Sequence, residues 1–407
     1  MNKLFFGLVI CLLFNSCSKK PKLAPSEGLW LAELQVMDEQ TLPFNFQLVK
    51  SDAEKYTMKI FNAEETIDVD EIKIENDSIF IRPPVFEGYI AGVFTENEIN
   101  GQFIIADLDR IVPFRATYGQ TNRFPNKKLS EVNISGIWEA TFSADTQESY
   151  QAKGTFTQNG DKVTGTFETP TGDYRYLEGI ISKDSLKLST FDGAHAFLFS
   201  AQATDSTLNG IFYSGNHFKE PFIAKRNKNF QLSDADSLTF LKEGYPEFAF
   251  SFPDSEGDIV SLKDKRFENK VVIVQIMGSW CPNCLDETKF LVDYLQSKNN
   301  KRLEVVGLAF EYAKTEEKAF KSIDRLKSRI DVGYPILLAQ FGTWDKEVAQ
   351  QKLPMLNRIL SYPTTVFIDK ERKVRKIHTG FNGPATGKKF IEFKTEFNTF
   401  VSSLLKE

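Results

Sequence analysis

Hydrophobic and polar residues follow two different patterns along this chain. From Glu27 to about Arg226, short runs of alternating apolar and polar residues are separated by Gly, Asn and Asp. Such runs are typical of antiparallel strands that bury one face, and they predict about eight strands in each half of this region. From Tyr245 onwards, buried-strand patterns alternate with stretches of helical periodicity. We therefore predict an all-β N-terminal region followed by an α/β domain.

The β region also repeats itself with an offset of about 108 residues. Gly-Leu-Trp30 recurs as Gly-Ile-Trp138. Three further pairs share this offset, namely Asp77 with Asp184, Asn100 with Asn209, and Pro113 with Pro221. These matches indicate a duplicated unit, which is too long for a small-repeat solenoid. We predict β module 1 at residues 27–120 and β module 2 at residues 131–226, each an antiparallel barrel or sandwich.

The C-terminal part, residues 245–407, follows a polar linker with helical character at residues 227–244. Its hydrophobic pattern predicts strands at 271–277, 303–310, 334–340, 364–369 and 372–379, and helices at about 282–297, 315–329, 344–352 and 387–405. This order begins as βαβ and ends as a hairpin plus a helix. We therefore expect an α/β sandwich.

The candidate chemistry lies in two cysteines, Cys281 and Cys284, at the start of the first predicted helix. Free N–H groups and the positive end of the helix dipole stabilise a thiolate at this position. Cys284 lies one turn further on the same side, where it can attack a mixed disulfide formed at Cys281. A permanent disulfide across one turn would stabilise the fold little. The pair therefore indicates redox chemistry, with Cys281 as nucleophile and Cys284 as resolving thiol.

The N-terminus predicts export. Lys3 precedes an apolar run that ends at Phe14 and is shorter than the ~20 residues that span a bilayer. The sequence Phe-Asn-Ser-Cys17 resembles the lipobox of bacterial lipoproteins, in which the cysteine carries the lipid. We expect a signal peptide at residues 1–16, lipidation at Cys17 and a membrane tether at residues 17–26. A plain secretory signal with an incidental cysteine is the alternative.

Composition excludes several function classes. The net charge is −5 with acidic and basic residues interspersed, so the chain has no basic field for nucleic acid. Neither a second cysteine pair nor a spaced histidine pair completes a four-ligand zinc site around Cys281 and Cys284. The residues before Cys281 also lack the Pro-x-x-x-Thr-x-x-Cys pattern of peroxiredoxins. We expect neither a metal nor a cofactor.

Residues 245–405 resemble the thioredoxin superfamily, and within it the exported thiol-disulfide oxidoreductases of the TlpA/ResA type. The matching segments are Trp280-Cys281-Pro282-Asn283-Cys284, Tyr362-Pro363-Thr364-Thr365-Val366-Phe367-Ile368-Asp369, and Gly380. The resemblance implies a cis peptide bond at Pro363, which faces the cysteine pair beside exposed backbone that can pair with a substrate strand. Trp280, Tyr362 and Pro363 are then the expected substrate contacts.

Glu287 is similar to the glutamate of the family pattern C-x-x-E, one turn beyond Cys284, where its carboxylate could tune the pair. A solvated helix residue is the alternative for Glu287. Gln275, which cannot titrate, replaces the buried aspartate of thioredoxin itself. Pro282 follows the first cysteine, whereas the family usually has proline before the second. Because residues between the cysteines shift the reduction potential over about −270 to −120 mV, the direction of electron flow stays open.

The resemblance implies an enzyme of the cell envelope, a periplasm-facing lipoprotein that reduces disulfides of protein substrates through Cys281 and Cys284. Because no glutathione pool exists outside the cytoplasm, a membrane thiol carrier of the DsbD/CcdA type is the implied reductant. Two alternatives stay open. One is a disulfide oxidase or isomerase, and the other is a non-enzymatic lipoprotein whose β modules bind a ligand or partner.

Overall fold

The computed structural model describes residues 23–51, 55–125 and 130–407. The predicted signal peptide, the predicted lipidation site Cys17 and most of the predicted tether lie outside the described residues. Within these ranges the chain forms three hydrophobic cores, two in the β region and one in the C-terminal domain. No helix in this part of the chain is both long and apolar enough to cross a membrane.

The first nine strands form one antiparallel sheet with the order β4-β3-β2-β1-β9-β8-β7-β6-β5. Their bounds are β1 Gly28–Gln35, β2 Thr41–Lys50, β3 Tyr56–Asn62, β4 Glu65–Val69, β5 Glu71–Glu75, β6 Ser78–Arg82, β7 Tyr89–Phe94, β8 Glu98–Ile105 and β9 Arg110–Tyr118. Trp30, Phe44 and Phe46 fill the enclosed core. In the described residues no ladder joins β4 to β5, so this barrel is open between its two end strands.

The next nine strands form a second sheet of the same design. Their bounds are β10 Gly136–Phe142, β11 Tyr150–Asn159, β12 Lys162–Thr169, β13 Gly172–Asp173, β14 Leu177–Ser182, β15 Ser185–Phe191, β16 Ala196–Ala203, β17 Thr207–Ser214 and β18 Phe218–Arg226. Here β12 pairs with both β11 and β14, which closes the barrel.

The duplication is visible in register and in hydrogen bonds. Trp30 stands opposite Phe46 in the neighbouring strand, and Trp138 stands opposite Gly154 at the equivalent place. Each indole N–H donates to the carbonyl oxygen four residues earlier, at 3.0 Å from Trp30 and 2.8 Å from Trp138. The expectation of about eight strands per copy was one too few. The alternating run at residues 65–75 breaks at Asp70 into β4 and β5, and β13 has only two residues.

The C-terminal domain is the predicted thioredoxin-like α/β domain. Its strands are β19 Ser251–Pro253, β20 Ile259–Ser261, β21 Val271–Met277, β22 Leu303–Phe310, β23 Ile336–Gln340, β24 Thr364–Ile368 and β25 Val374–Thr379. Its helices are α1 Pro282–Lys298, α2 Glu316–Arg329, α3 Lys346–Lys352 and α4 Lys388–Lys406. The central sheet has the order β23-β22-β21-β24-β25, with β21, β22 and β23 parallel and the last two strands antiparallel. Every residue of β21 is buried, as the apolar run predicts.

The predicted helical character of the linker at residues 227–244 is wrong. This segment contains one short 3₁₀ turn, Ala235–Ser237, and otherwise runs as irregular chain. Its polar groups contact the C-terminal domain instead: the Phe240 N–H donates to Asn357 Oδ1 at 2.9 Å, and Asp236 Oδ1 lies 2.6 Å from His378 Nδ1. Tertiary contacts therefore override local helical propensity here.

Helix α2 joins the C-terminal domain to β module 1. Arg325 donates to Glu71 at 2.7 Å and to the Pro83 carbonyl at 2.8 Å. Val85 and Phe86 of module 1 belong to the hydrophobic core of the C-terminal domain. The modules and the α/β domain are therefore packed together and share buried surface.

Candidate active site

The two cysteines lie where strand β21 ends and helix α1 begins. Cys281 is the N-cap residue of α1, and Pro282 occupies the first turn, where a missing N–H costs nothing. The Cys284 N–H donates to Cys281 Sγ at 3.2 Å, and the Cys281 thiol donates to the Tyr362 carbonyl at 3.4 Å. Both thiols are free. The helix start therefore offers an N–H group to the Cys281 sulfur, as the sequence predicts.

The environments of the two thiols differ. Cys281 is 7 % exposed and Cys284 is fully buried. Burial raises the pKa of Cys284 far above the usual thiol value, and the adjacent Cys281 and the carboxylate of Glu287 raise it further. Cys284 is thus held as a neutral thiol. The Cys281 sulfur, at the helix start, is the one that can react first with another molecule. This asymmetry suits one attacking and one resolving thiol.

Glu287 lies beneath the cysteine pair and is 1 % exposed, so the alternative of a solvated helix residue is wrong. Thr365 Oγ1 donates to Glu287 Oε1, and Gln275 Nε2 donates to Glu287 Oε2 at 2.9 Å. Gln275 also donates to the Cys284 carbonyl at 3.3 Å. Burial raises the pKa of Glu287, and the two hydrogen bonds partly oppose this effect. Gln275 therefore connects the carboxylate to the backbone of the resolving cysteine.

The predicted substrate contacts gather around Cys281. The Tyr362–Pro363 peptide bond is cis, as the family resemblance implies. The Trp280 indole N–H donates to the Phe310 carbonyl at 2.9 Å, and its ring meets Tyr362 edge-on at 5.8 Å. The structure therefore brings Trp280, Cys281, Cys284, Tyr362 and Pro363 together, with Glu287 one layer deeper.

Sequence reasoning missed Glu311, which directly follows strand β22. This carboxylate is 2 % exposed and accepts hydrogen bonds from the N–H and the hydroxyl of Ser279, both at 2.7 Å. Burial raises the pKa of Glu311 to about 7, although the Ser279 bonds lower it. Because Ser279 precedes Trp280 and Cys281, Glu311 is a positioning residue for the active-site loop.

A hairpin of β module 2 also reaches the site. We call residues 169–175, at the β12–β13 turn, the second hairpin. The Ser361 hydroxyl donates to the Thr171 carbonyl at 2.9 Å, and Asn283, between the two cysteines, donates to the Asp173 carbonyl at 3.3 Å. Gly172 forms a parallel β-bridge with Phe381. These contacts join segments more than 100 residues apart, and no local motif in the sequence signals them.

Two glycines permit this close approach. Gly172 has φ +148°, and a Cβ atom there would overlap the Asn283 amide. Gly380, which the family resemblance had singled out, has φ +78°, and a Cβ atom there would overlap the backbone of Thr171. Gly380 is needed because two backbones touch there, and Gly172 because its backbone lies directly against the side-chain amide of Asn283.

Arg175 of the second hairpin anchors the three domains to one another. It is 4 % exposed and pairs with Glu65 of module 1 at 2.9 Å, with Asp192 of module 2 at 3.3 Å, and with Asp286 of helix α1. Burial alone would raise the pKa of Asp192, but His195 and Arg175 lower it to about 2. The junction is therefore a charged cluster, buried one turn from the cysteine pair.

Comparisons with known proteins concern about a third of the chain. Residues 244–377 match the model of the AhpC/TSA family. The thioredoxin-like protein YneN of Bacillus subtilis (strain 168) is 27 % identical over 140 residues, which cover 34 % of this chain and 73 % of the relative. The family match and this relative support a thioredoxin-like thiol-disulfide oxidoreductase activity.

Part of the chain is also similar to solved structures of other proteins. A thiol-disulfide oxidoreductase from Bacteroides fragilis NCTC 9343 is 19 % identical, covers 36 % of this chain and 96 % of its own, and has a TM-score of 0.27. A thiol:disulfide interchange protein of the thioredoxin family from Chlorobium tepidum TLS is 18 % identical, covers 37 % and 94 %, and also has a TM-score of 0.27.

Proposed function

We propose that this chain is an envelope-located thiol-disulfide oxidoreductase of the TlpA/ResA type, which reduces disulfides of protein substrates with the dithiol Cys281/Cys284. The position of the Cys281 sulfur is the main support for this proposal. The sulfur lies between the Cys284 N–H at the helix start and the carbonyl of Tyr362, which precedes the cis proline. A thiolate there is stabilised by the N–H, while the neighbouring backbone can receive an extended substrate segment.

The reaction has two steps. The Cys281 thiolate attacks one sulfur of the substrate disulfide, a mixed disulfide forms, and the other substrate sulfur leaves as a thiolate that takes up a proton. Cys284 then attacks the Cys281 sulfur and gives up its proton, and the second substrate sulfur leaves as a thiolate that takes up a proton in turn. The substrate gains two electrons, and the Cys281–Cys284 pair is oxidised to a disulfide.

Glu287 affects the second step. Its negative charge raises the pKa of Cys284, so a neutral Glu287 makes loss of the Cys284 proton easier. Burial raises the pKa of Glu287 and therefore favours this neutral form. In this proposal Glu287 tunes the resolving thiol, and Gln275 holds its carboxylate in place.

Re-reduction and location belong to the same proposal. A membrane thiol carrier of the DsbD/CcdA type would return electrons to the oxidised pair, because the envelope has no glutathione pool. A lipid on Cys17 would hold the protein at the membrane, facing the periplasm. Labelled fatty-acid incorporation that is lost in Cys17→Ala would support the anchor, and unchanged labelling would reject it.

The first experiment is a reduction-potential titration of the Cys281–Cys284 couple against dithiothreitol or glutathione, with thiol trapping. A potential near or below about −250 mV supports a reductase, and one near −120 mV favours a disulfide oxidase or isomerase. Cys281→Ser should abolish turnover of a protein disulfide. If a Cys281→Ser protein keeps its biological function, the chain is instead a binding lipoprotein that uses its β modules.

A further inference from the structure

A cavity of about 300 Å³ opens beside the active-site residues Trp280 and Tyr362. All three domains line it: module 1 contributes Arg110 and two aliphatic side chains, module 2 contributes His195, and the C-terminal domain contributes aromatic residues and Lys346. We call this cavity the three-domain pocket. It adjoins the active site at Trp280 and Tyr362, and no residue of the second hairpin lines it.

One wall of the pocket is aromatic. The Trp280 ring lies 5.6 Å from Tyr312, whose ring lies 6.1 Å from Trp344. Trp344 is 48 % exposed, and the Arg110 guanidinium lies over its ring at 5.5 Å. The wall therefore leads from the residue before Cys281 out to solvent, and it offers flat apolar surface with a cation at its outer end.

The lining of the pocket carries two cations, Arg110 and Lys346. Among the described residues, neither Arg110 nor Lys346 forms an ion pair. The Lys346 ammonium donates to the Leu360 carbonyl at 2.7 Å. Two neighbouring carboxylates have partners of their own, since Asp107 binds Lys318 at 2.6 Å and Glu311 binds Ser279. Together with burial, the charges of Glu87, Glu311 and Asp107 raise the pKa of Tyr312 in the wall, so Arg110 and Lys346 lie at the edge of an acidic neighbourhood. The lining itself has cationic groups and no acidic side chain.

The second hairpin already binds two polar groups beside the cysteine pair. It binds Asn283 and Ser361 through its own backbone carbonyls. A substrate strand that approaches Cys281 past Trp280 and Tyr362 crosses the three-domain pocket. Residues that flank its cystine then lie against the aromatic wall and within reach of Arg110 and Lys346.

We infer that the three-domain pocket receives the residues that flank a substrate disulfide and selects protein substrates with an acidic residue beside the cystine. This inference rests on the proposed function and adds a substrate class to it. An anionic side chain that meets Arg110 or Lys346 gains charge-assisted hydrogen bonds, which a neutral side chain of the same shape cannot form.

The test compares two cystine peptides of equal length, one with Glu and the other with Gln beside each cysteine, as substrates of the full chain. We expect kcat/KM to be roughly tenfold higher for the Glu peptide, and this ratio to fall as salt rises. In Arg110→Gln the ratio should fall towards one. Arg110→Glu should favour a Lys-flanked peptide instead.

The matched control is Arg115→Gln, on the same strand β9, where the exposed Arg115 pairs with Glu98 at 2.9 Å. It should keep the wild-type ratio. If Arg110→Gln does not fold, Lys346→Gln removes the other cation of the pocket and tests the same preference for acidic residues. Equal turnover of both peptides by the wild type, or a ratio unchanged in both variants, would overturn the inference. Such results leave the oxidoreductase proposal standing, whereas turnover of neither peptide rejects both.

Discussion

The two β modules use the same hairpin to contact different neighbours. We call residues 61–67, at the β3–β4 turn, the first hairpin; it is the counterpart of the second hairpin in the duplicated unit. The Asn62 side chain of the first hairpin binds both backbone groups of Phe191 in module 2, at 2.9 and 3.2 Å. The second hairpin instead binds Asn283 and Ser361 around the cysteine pair. Each hairpin thus docks on the next domain along the chain.

The residues at each turn determine what a duplicated hairpin can reach. The first hairpin docks through long polar groups, such as Asn62 and Glu65. The second also uses a long side chain, Arg175, which pairs with Asp286, but beside the cysteine pair it docks through the backbone of Thr171, Gly172 and Asp173, where glycine permits the close approach. The same architecture therefore gives a structural joint in one copy and a wall of a redox site in the other.

Replacing Arg175 with Met should give the largest effect, because this residue joins both hairpins to helix α1. The variant leaves the carboxylates of Glu65 and Asp286 buried without their cation, and Asp192 with His195 as its one remaining partner in the cluster. Loss of one partner from a buried ion pair costs about 3–5 kcal/mol in free energy of unfolding. Urea unfolding of the full chain measures this loss.

The control is Arg115→Met, which removes an exposed ion pair worth at most about 1 kcal/mol. Equal destabilisation by the two substitutions would show that the cluster around Arg175 does not hold the hairpins together.

A pH series on Glu311→Gln tests the buried carboxylate that supports the active-site loop, a feature with no counterpart at the first hairpin's contact with Phe191. Burial raises the folded-state pKa of Glu311 from 4.5 to about 7, so the folded protein binds the proton more tightly than the unfolded chain. Wild-type stability should therefore fall, relative to the variant, as pH rises from about 4.5 to about 7, by about 3 kcal/mol at most. Parallel unfolding curves across this window would contradict the burial of a titrating Glu311.

Replacing Gly172 with Ala should lift the second hairpin from the site. The added Cβ overlaps the Asn283 amide, and the positive φ is unfavourable for alanine, so we expect a loss of about 1–2 kcal/mol. We also expect severalfold faster alkylation of Cys281 by iodoacetamide. Gly160→Ala, at φ +64° with open space around it, is the matched control and should leave the alkylation rate unchanged.

The smallest effect should come from the first hairpin. Asn62→Ala removes two hydrogen bonds to the backbone of Phe191 and should cost about 1–2 kcal/mol in free energy of unfolding. The alkylation rate of Cys281 should stay at the wild-type value, because Asn62 contacts Phe191 of module 2 and does not touch the cysteine pair. A faster rate in Asn62→Ala would erase the functional distinction between the two hairpins.

The sequence predicts local features well in this protein. Cys281 and Cys284 are readable because the spacing, the helix start and the preceding apolar strand are contiguous. The duplicated modules are readable because alternation and offset recur along the chain. The family resemblance adds the cis bond at Pro363, and the structure confirms it.

The remaining features depend on segments that meet only in the folded state. Glu311 contacts Ser279 across neighbouring strand ends, and Arg175 meets Glu65 and Asp286 across more than 100 residues. The closure of the second barrel follows from the pairing of β12 with β14, while the first copy has the same alternation but, in the part of the chain that the structure describes, no ladder between β4 and β5. Alternation gives the face of a strand and does not give its second neighbour.

Each hairpin docks on the domain that follows it in the sequence, and this order has a consequence during synthesis of the chain. Because N-terminal domains leave the ribosome first and fold as units, each hairpin is complete before the domain that receives it exists. A chain that stops before Asn283 presents the carbonyl groups of Thr171 and Asp173 without their partners. When synthesis continues, the cysteine pair arrives at a scaffold that already carries one wall of its site. A truncated product therefore exposes the second hairpin, which the finished protein covers, and proteases and chaperones can distinguish the two by this surface.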